Sequence, residues 1–150
     1  MSKAAINLAE DVAVLACIDP DAYATGDSTT DIIDMRYWSE VLFIVQVGTL
    51  GSSATADFVV AGSAASNMAS SATVTGKSIT QLTEAGTDSD KQSLVRVTAE
   101  EVMAQGYRYI QGTLTIGAAT SDAGVIAIGA HARYNPATQF DLASVSEIVS

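Results

Sequence analysis

The chain has 150 residues, with 17 acidic against 7 basic side chains, one histidine and one cysteine. Its length reads as one domain that can bury a core without disulfides or metal, and 48% hydrophobic content with only 16% charged residues is not the composition of a disordered chain. A formal net charge of -10 argues against a nucleic-acid binder, which would show a basic stripe, and against attachment to an anionic membrane; it fits docking onto a basic or neutral protein surface.

The first 34 residues hold seven acidic side chains against Lys3 alone. Glu10 and Asp11 interrupt the opening apolar run, so no secretory signal is read, and no stretch approaches the length of a membrane-spanning helix. A chain made and used, or assembled, in a reducing cytoplasm is expected. Residues 1–34 read as an N-terminal arm with one short apolar element at 12–18 and a turn-rich loop, "DPDAYATGDSTTD". Cys17, within "VAVLACI", cannot close an internal disulfide and reads as a small buried or interfacial hydrophobe.

The body, residues 35–133, is expected to be strands. "VLFIVQV" (41–47) is a β-branched and aromatic run bounded by Gly48 and Gly51; it reads as a strand covered on both faces or central to a sandwich, and "TADFVV" (55–60) reads as its hairpin partner. "AGSAASNMASSATVTG" buries little and reads as a surface loop or a poorly packed edge. "SITQLT" and "KQSLVRVT" read as strands, the second with Leu94, Arg96 and Thr98 opposite Val95 and Val97. "AEEVMAQG" reads as one turn of helix that stops at Gly106. In "YRYIQGTLTIGA", Arg108, Ile110, Gly112, Leu114 and Ile116 share one face; "GVIAIGAHAR" (124–133) is the last strong strand. Pro136 then opens a C-terminal arm, 134–150. Short strands with Gly- and Ser/Thr-rich turns predict an all-β fold: an antiparallel β-sandwich, jelly-roll-like, with extended N- and C-terminal arms.

Several stretches imitate functional sites. Gly76, Lys77 and Ser78 end "like" a phosphate-binding loop, but that loop needs a glycine where Ser71 stands, a buried strand before it and a helix after it. A turn at Thr75-Gly76 leading into a strand is the better reading. His131 is the only histidine, no Gly-x-Ser-x-Gly elbow accompanies it, and it reads as structural or surface, on the face of Val125, Ala127 and Gly129. The pairs Glu100/Glu101 and Asp88/Asp90 read as solvated charge. Asp19, Asp21 and Asp27 fail the calcium-loop spacing, because Tyr23 and Ala24 stand at its fifth and sixth positions; an adventitious calcium site at a subunit contact stays open. One Cys and one His do not make a zinc site. Tyr37 and Trp38 could stack on a sugar, but a tryptophan at a strand entrance more often caps the core. No catalytic, cofactor-binding or metal residue is assigned, and no enzyme is expected.

The segments "DMRYWSEVLFIVQVGTLGSSATADF", "GKSITQLTEAGTDSDKQ", "YRYIQGTLTIGAATS" and "IGAHARYNPA", in that order, resemble a family of small tailed-bacteriophage virion proteins of the head-decoration, or capsid cement, type. The resemblance spans roughly residues 29 to 149, and it lies in the series and its spacing, since no segment is a catalytic signature. It implies a β-sandwich on the outer capsid, a homotrimer at a quasi-three-fold position, and the major capsid protein as partner, with no active-site residues and no cofactor. It implies a virion location after assembly in the host cytoplasm. The alanine- and serine-rich loop at 61–72 departs from the pattern. On this reading the two arms make the inter-subunit or capsid contacts. A tail or head-completion protein, and a carbohydrate-binding sandwich, are the alternatives.

Overall fold

Side-chain alternation in the apolar runs yields ten strands, two short α-helices and a 3-10 turn over residues 7–149, the part of the chain that the computed structural model describes. Helix α1 (Leu8–Asp11) leads into β1 (Val12–Tyr23), β2 (Gly26–Thr29), β3 (Ile33–Asp34), β4 (Trp38–Val47) and β5 (Thr55–Ser63). Then come β6 (Ala72–Ser78), β7 (Leu82–Thr83), β8 (Gln92–Thr98), α2 (Ala99–Ala104), β9 (Tyr109–Gly117), β10 (Ser121–Ala132) and the 3-10 turn Ala137–Phe140.

The strands form two antiparallel sheets. One has the order β1-β10-β4-β8 and the other β2-β9-β5-β6, with β3 added beside β9 and β7 beside β5. Set aside the two-residue strands β3 and β7 and count the remaining eight along the chain. The orders become first-eighth-third-sixth and second-seventh-fourth-fifth. That is the jelly-roll winding of a double-sheet sandwich.

Inward-facing residues alternate along each strand and meet between the sheets. Val41, Phe43, Val45 and Val47 of β4, Phe58 and Val60 of β5, and Ile110, Leu114 and Ile116 of β9 are all buried. The Phe43 and Phe58 rings lie 5.5 Å apart, centroid to centroid. Helix α2 closes one end, its Thr98–Glu101 capping box seating buried Val102. Gly106 then turns the chain at φ +81°.

Three expectations change. Residues 12–34 are not an arm: β1 pairs with β10 on both sides of an irregularity at Asp19-Pro20, and β2 and β3 pair with β9, while residues 1–6 of the expected arm lie outside the described residues. Strand pairing needs only the backbone, so β1 continues through the exposed, polar "DPDA". The segments 41–47 and 55–60 are not a hairpin, because β4 and β5 lie in opposite sheets and touch through their inner faces. The C-terminal arm is docked on its own chain: Ala137 is buried, Phe140 packs edge-on to Trp38 at 5.6 Å, and the Leu142 N–H donates to Val14 O.

Candidate functional site

The outer faces of the two sheets differ in chemistry. On the sheet holding β2, β9 and β5, one cross-strand row reads Asp27, Thr115, Asp57 and the next Thr29, Thr113, Val59. Thr115 donates to Asp27 at 2.6 Å and Gln81 to Asp57 at 2.6 Å. This face is built for water.

The outer face of the other sheet is apolar. The register puts Cys17, Ile126, Ile44 and Leu94 in one row across all four strands, and Val14, Ile128, Leu42 and Arg96 in the next. Leu94, on the edge strand, is 65% exposed. Neighbouring strands lie about 4.8 Å apart, so a row of four spans roughly 15 Å. A contiguous apolar patch of this kind is a surface that tends to be covered.

The patch has defined borders. At one end Glu40 pairs with Arg96, while His131 Nδ1 lies 3.2 Å from Glu40 Oε1. The Arg96 hydrogen bond holds the Glu40 carboxyl below its usual range. At the other end β1 shifts register between Ile18 and Asp21, carrying Pro20 over Gly124. A Cβ on Gly124 would lie 3.0 Å from the Pro20 Cα. A groove runs beside this crossing. One half is lined by Asp21, Asp122 and Gln46, and the other by Asp19, Cys17 and Ile126. Along the β1 side the C-terminal segment closes the open strand edge: Val14 N–H donates to Asp141 Oδ1 at 2.7 Å, and Val145 lies over the groove.

The residues singled out in the sequence do not converge. Lys77 sits in edge strand β6, where its ammonium donates to Arg96 O at 2.7 Å and to Glu101 at 3.0 Å. Gly76, at φ +74°, lies within β6 rather than in a turn before a strand. "SITQLT" is divided, β6 ending at Ser78 and β7 holding only Leu82–Thr83. His131 turns away from Val125, Ala127 and Gly129, because its φ of +52° breaks the alternation and leaves it exposed. Trp38 is 2% exposed, so it caps the core and offers no ring face to a sugar. Glu101 and Asp88 are structural as well as solvated: Glu101 accepts from Thr98 N–H at 2.9 Å, and Asp88 from Thr83 N–H at 3.0 Å. Asp27 lies on the polar face, apart from Asp19 and Asp21. Cys17 is half-buried; desolvation, then its contact with Asp19, pushes the thiol up, which makes it a poor nucleophile. Among the described residues no cluster of three potential metal ligands occurs.

Neither a protein-family model nor a curated protein matches this chain. Among solved structures, a chain of infectious bursal disease virus strain Gx is similar over 85% of this chain and 34% of that one, at 13% identity and a TM-score of 0.43. A chain of strain Gt of the same virus is similar over 85% and 33%, at 11% identity and a TM-score of 0.43. The present chain thus spans about a third of the viral chains it matches.

Of the apolar outer face only β4 was legible in the sequence, as a strand covered on both faces or central to a sandwich; its continuation across β1, β10 and β8 was missed. Its signal was present in "VLFIVQV" and "GVIAIGAHAR", where the residues between the core positions are also apolar. An antiparallel strand with one wet face alternates apolar with polar. Leu42, Ile44, Ile126 and Ile128 break that rule.

Proposed function

We propose that this chain is a structural protein of a virion that binds the outer surface of a phage capsid and stabilises it. The reading rests on the family resemblance of the sequence. The observation that carries it in the fold is the contrast between a polar and an apolar outer sheet face. A decoration protein needs one face to meet the shell and another to meet water, and the two outer faces of this sandwich divide in that way. It also needs many equal, weak attachments, which oligomerisation strengthens through effective concentration. The net charge of -10 keeps free copies apart before docking. The proposal includes a homotrimer, the major capsid protein as partner, and assembly in the host cytoplasm.

The test is the mass of the purified protein by light scattering, followed by sedimentation with undecorated capsids. A discrete oligomer that pellets with capsids is expected. A chain that stays in the supernatant overturns the reading, and rings or tubes would indicate a tail component.

A further inference from the structure

We infer that the apolar outer face of the β1-β10-β4-β8 sheet, with its aspartate-lined end, is the surface that meets the shell, and that it takes a protein surface with an apolar centre and a basic rim. The inference rests on the capsid-binding reading and assigns the contact to one face.

The apolar centre follows from register: Leu42, Ile44, Leu94 and Ile126 are cross-strand neighbours, with Arg96 beside Leu42 at one border and the chain's own Val145 beside Ile126 at the other. The basic rim follows from charge accounting. Asp19, Asp21 and Asp122 line the groove at one end of this face, and none of the three is in an ion pair among the described residues. The chain has little cation to give them. Of its six described Lys and Arg side chains, five are held in ion pairs within the chain: Arg36 and Arg108 by Asp34, Lys77 by Glu101, Lys91 by Asp88, Arg96 by Glu40. The sixth, Arg133, follows β10 at the opposite end of the sheet.

This decides between two occupants. A second copy laid antiparallel on the face would bring Arg133, the one described Lys or Arg outside an ion pair, against three aspartates, leaving two of the three without a counter-charge at each end. Charge left unpaired in a closed interface disfavours that partner, whereas a basic rim would be drawn in. The partner is therefore a different protein. The groove adds shape: beside the crossing where the Pro20 backbone packs on Gly124, it is lined by Asp21, Gln46 and Asp122 and is open to a long basic side chain entering from the aspartate end.

Two variants test this against capsids assembled from the major capsid protein alone. Leu94→Asp places a charge at an exposed edge position, and the triple variant Asp19→Asn, Asp21→Asn, Asp122→Asn removes the acidic end. Circular dichroism and thermal melting check the fold of each. Leu94→Asp is expected to weaken capsid binding by about tenfold or more. The triple variant is expected to weaken it and to flatten its salt dependence, because fewer charge pairs remain to be screened. The oligomer mass stays that of the wild type in both. Folded variants that bind as the wild type does would overturn the assignment. So would a Leu94→Asp variant that loses its oligomer, which would mean that a second copy covers the face. A wild-type chain that ignores capsids would instead overturn the functional reading, and with it this choice of partner.

Discussion

Phe58 lies directly over Gly112 in the core: a Cβ built on Gly112 would come within 2.5 Å of the Phe58 Cζ and 3.3 Å of Phe43 Cε1. The two phenylalanines bridge the sheets, and the absent side chain of β9 makes room for both. Gly112→Ala is therefore expected to push the rings apart and to cost about 1–3 kcal/mol, the usual range for overpacking. Urea unfolding measures this. An unchanged midpoint would mean that the rings can move without loss.

The inner face of β9 was legible in the sequence, Gly112 included, because strict alternation identifies a face without knowledge of its partner. The same holds for β8, where Val95 and Val97 point inward and Leu94 and Arg96 outward. Pairing was not legible. The apolar runs at 41–47 and 55–60 attract each other equally as neighbours in a sheet or as facing layers, and only the winding of the whole chain selects the second. The length of β1 was hidden for another reason: Asp19 to Ala22 bury no side chain, and the strand resumes past the Asp19-Pro20 irregularity only because the Asp21 and Ala22 backbone pairs with β10. The apolar outer face needed the register itself, which brings residues from four distant segments into one row. Arg108 shows the limit of face assignment near a strand end. It belongs to the inner face by alternation, yet it leaves the core to meet Asp34.

Glu101 links α2 to β6, and it carries a pH signature. The Thr98 backbone N–H, then the Lys77 ammonium, hold its carboxyl down at about 2, against an ordinary 4.5. A lowered folded-state value contributes stability that is fully present above pH 4.5 and is lost as the pH falls toward 2. Glu101→Gln keeps an acceptor for the cap but removes the charge. The variant is expected to lose less than about 1 kcal/mol near neutral pH, because the Glu101 side chain is exposed and solvent screens its charge. That gap should close as the pH falls from 4.5 to 2. A gap that persists unchanged across this window, by urea unfolding, would show that titration of Glu101 is not its source.

Asp34 and Arg108 meet through two parallel hydrogen bonds of 3.0 and 2.6 Å, joining β3 to the start of β9. Burial pushes the Asp34 carboxyl up, but the Arg108 hydrogen bonds, the Arg36 N–H and the two guanidinium charges outweigh it and hold the group below its usual range. The sign matches that of Glu101: this stability is present above the ordinary carboxylate range and is lost in acid. A cycle of Asp34→Asn, Arg108→Gln and the double variant is expected to show coupling, with the double variant little worse than the poorer single one. Strict additivity of the two losses would mean that the pair contributes no interaction energy of its own.

The C-terminal segment divides into a part that holds the core and a part that lies over the outer face. Ala137 is buried, Phe140 packs on Trp38 and Tyr37, and Leu142 bonds Val14, whereas residues 146–149 are exposed. Ending the chain after residue 142 is expected to leave a folded sandwich of nearly full stability. Ending it after residue 132 uncovers Trp38 and removes the Phe140 contact, and is expected to cost about 3 kcal/mol or more, the range for losing a packed aromatic side chain. Trp38 is the only tryptophan, so its fluorescence reports the difference. The longer truncation should shift the emission to the red and lower the melting temperature, while the shorter one changes neither. Equal behaviour of the two truncations would show that the segment 133–142 is an arm after all, dispensable to the sandwich.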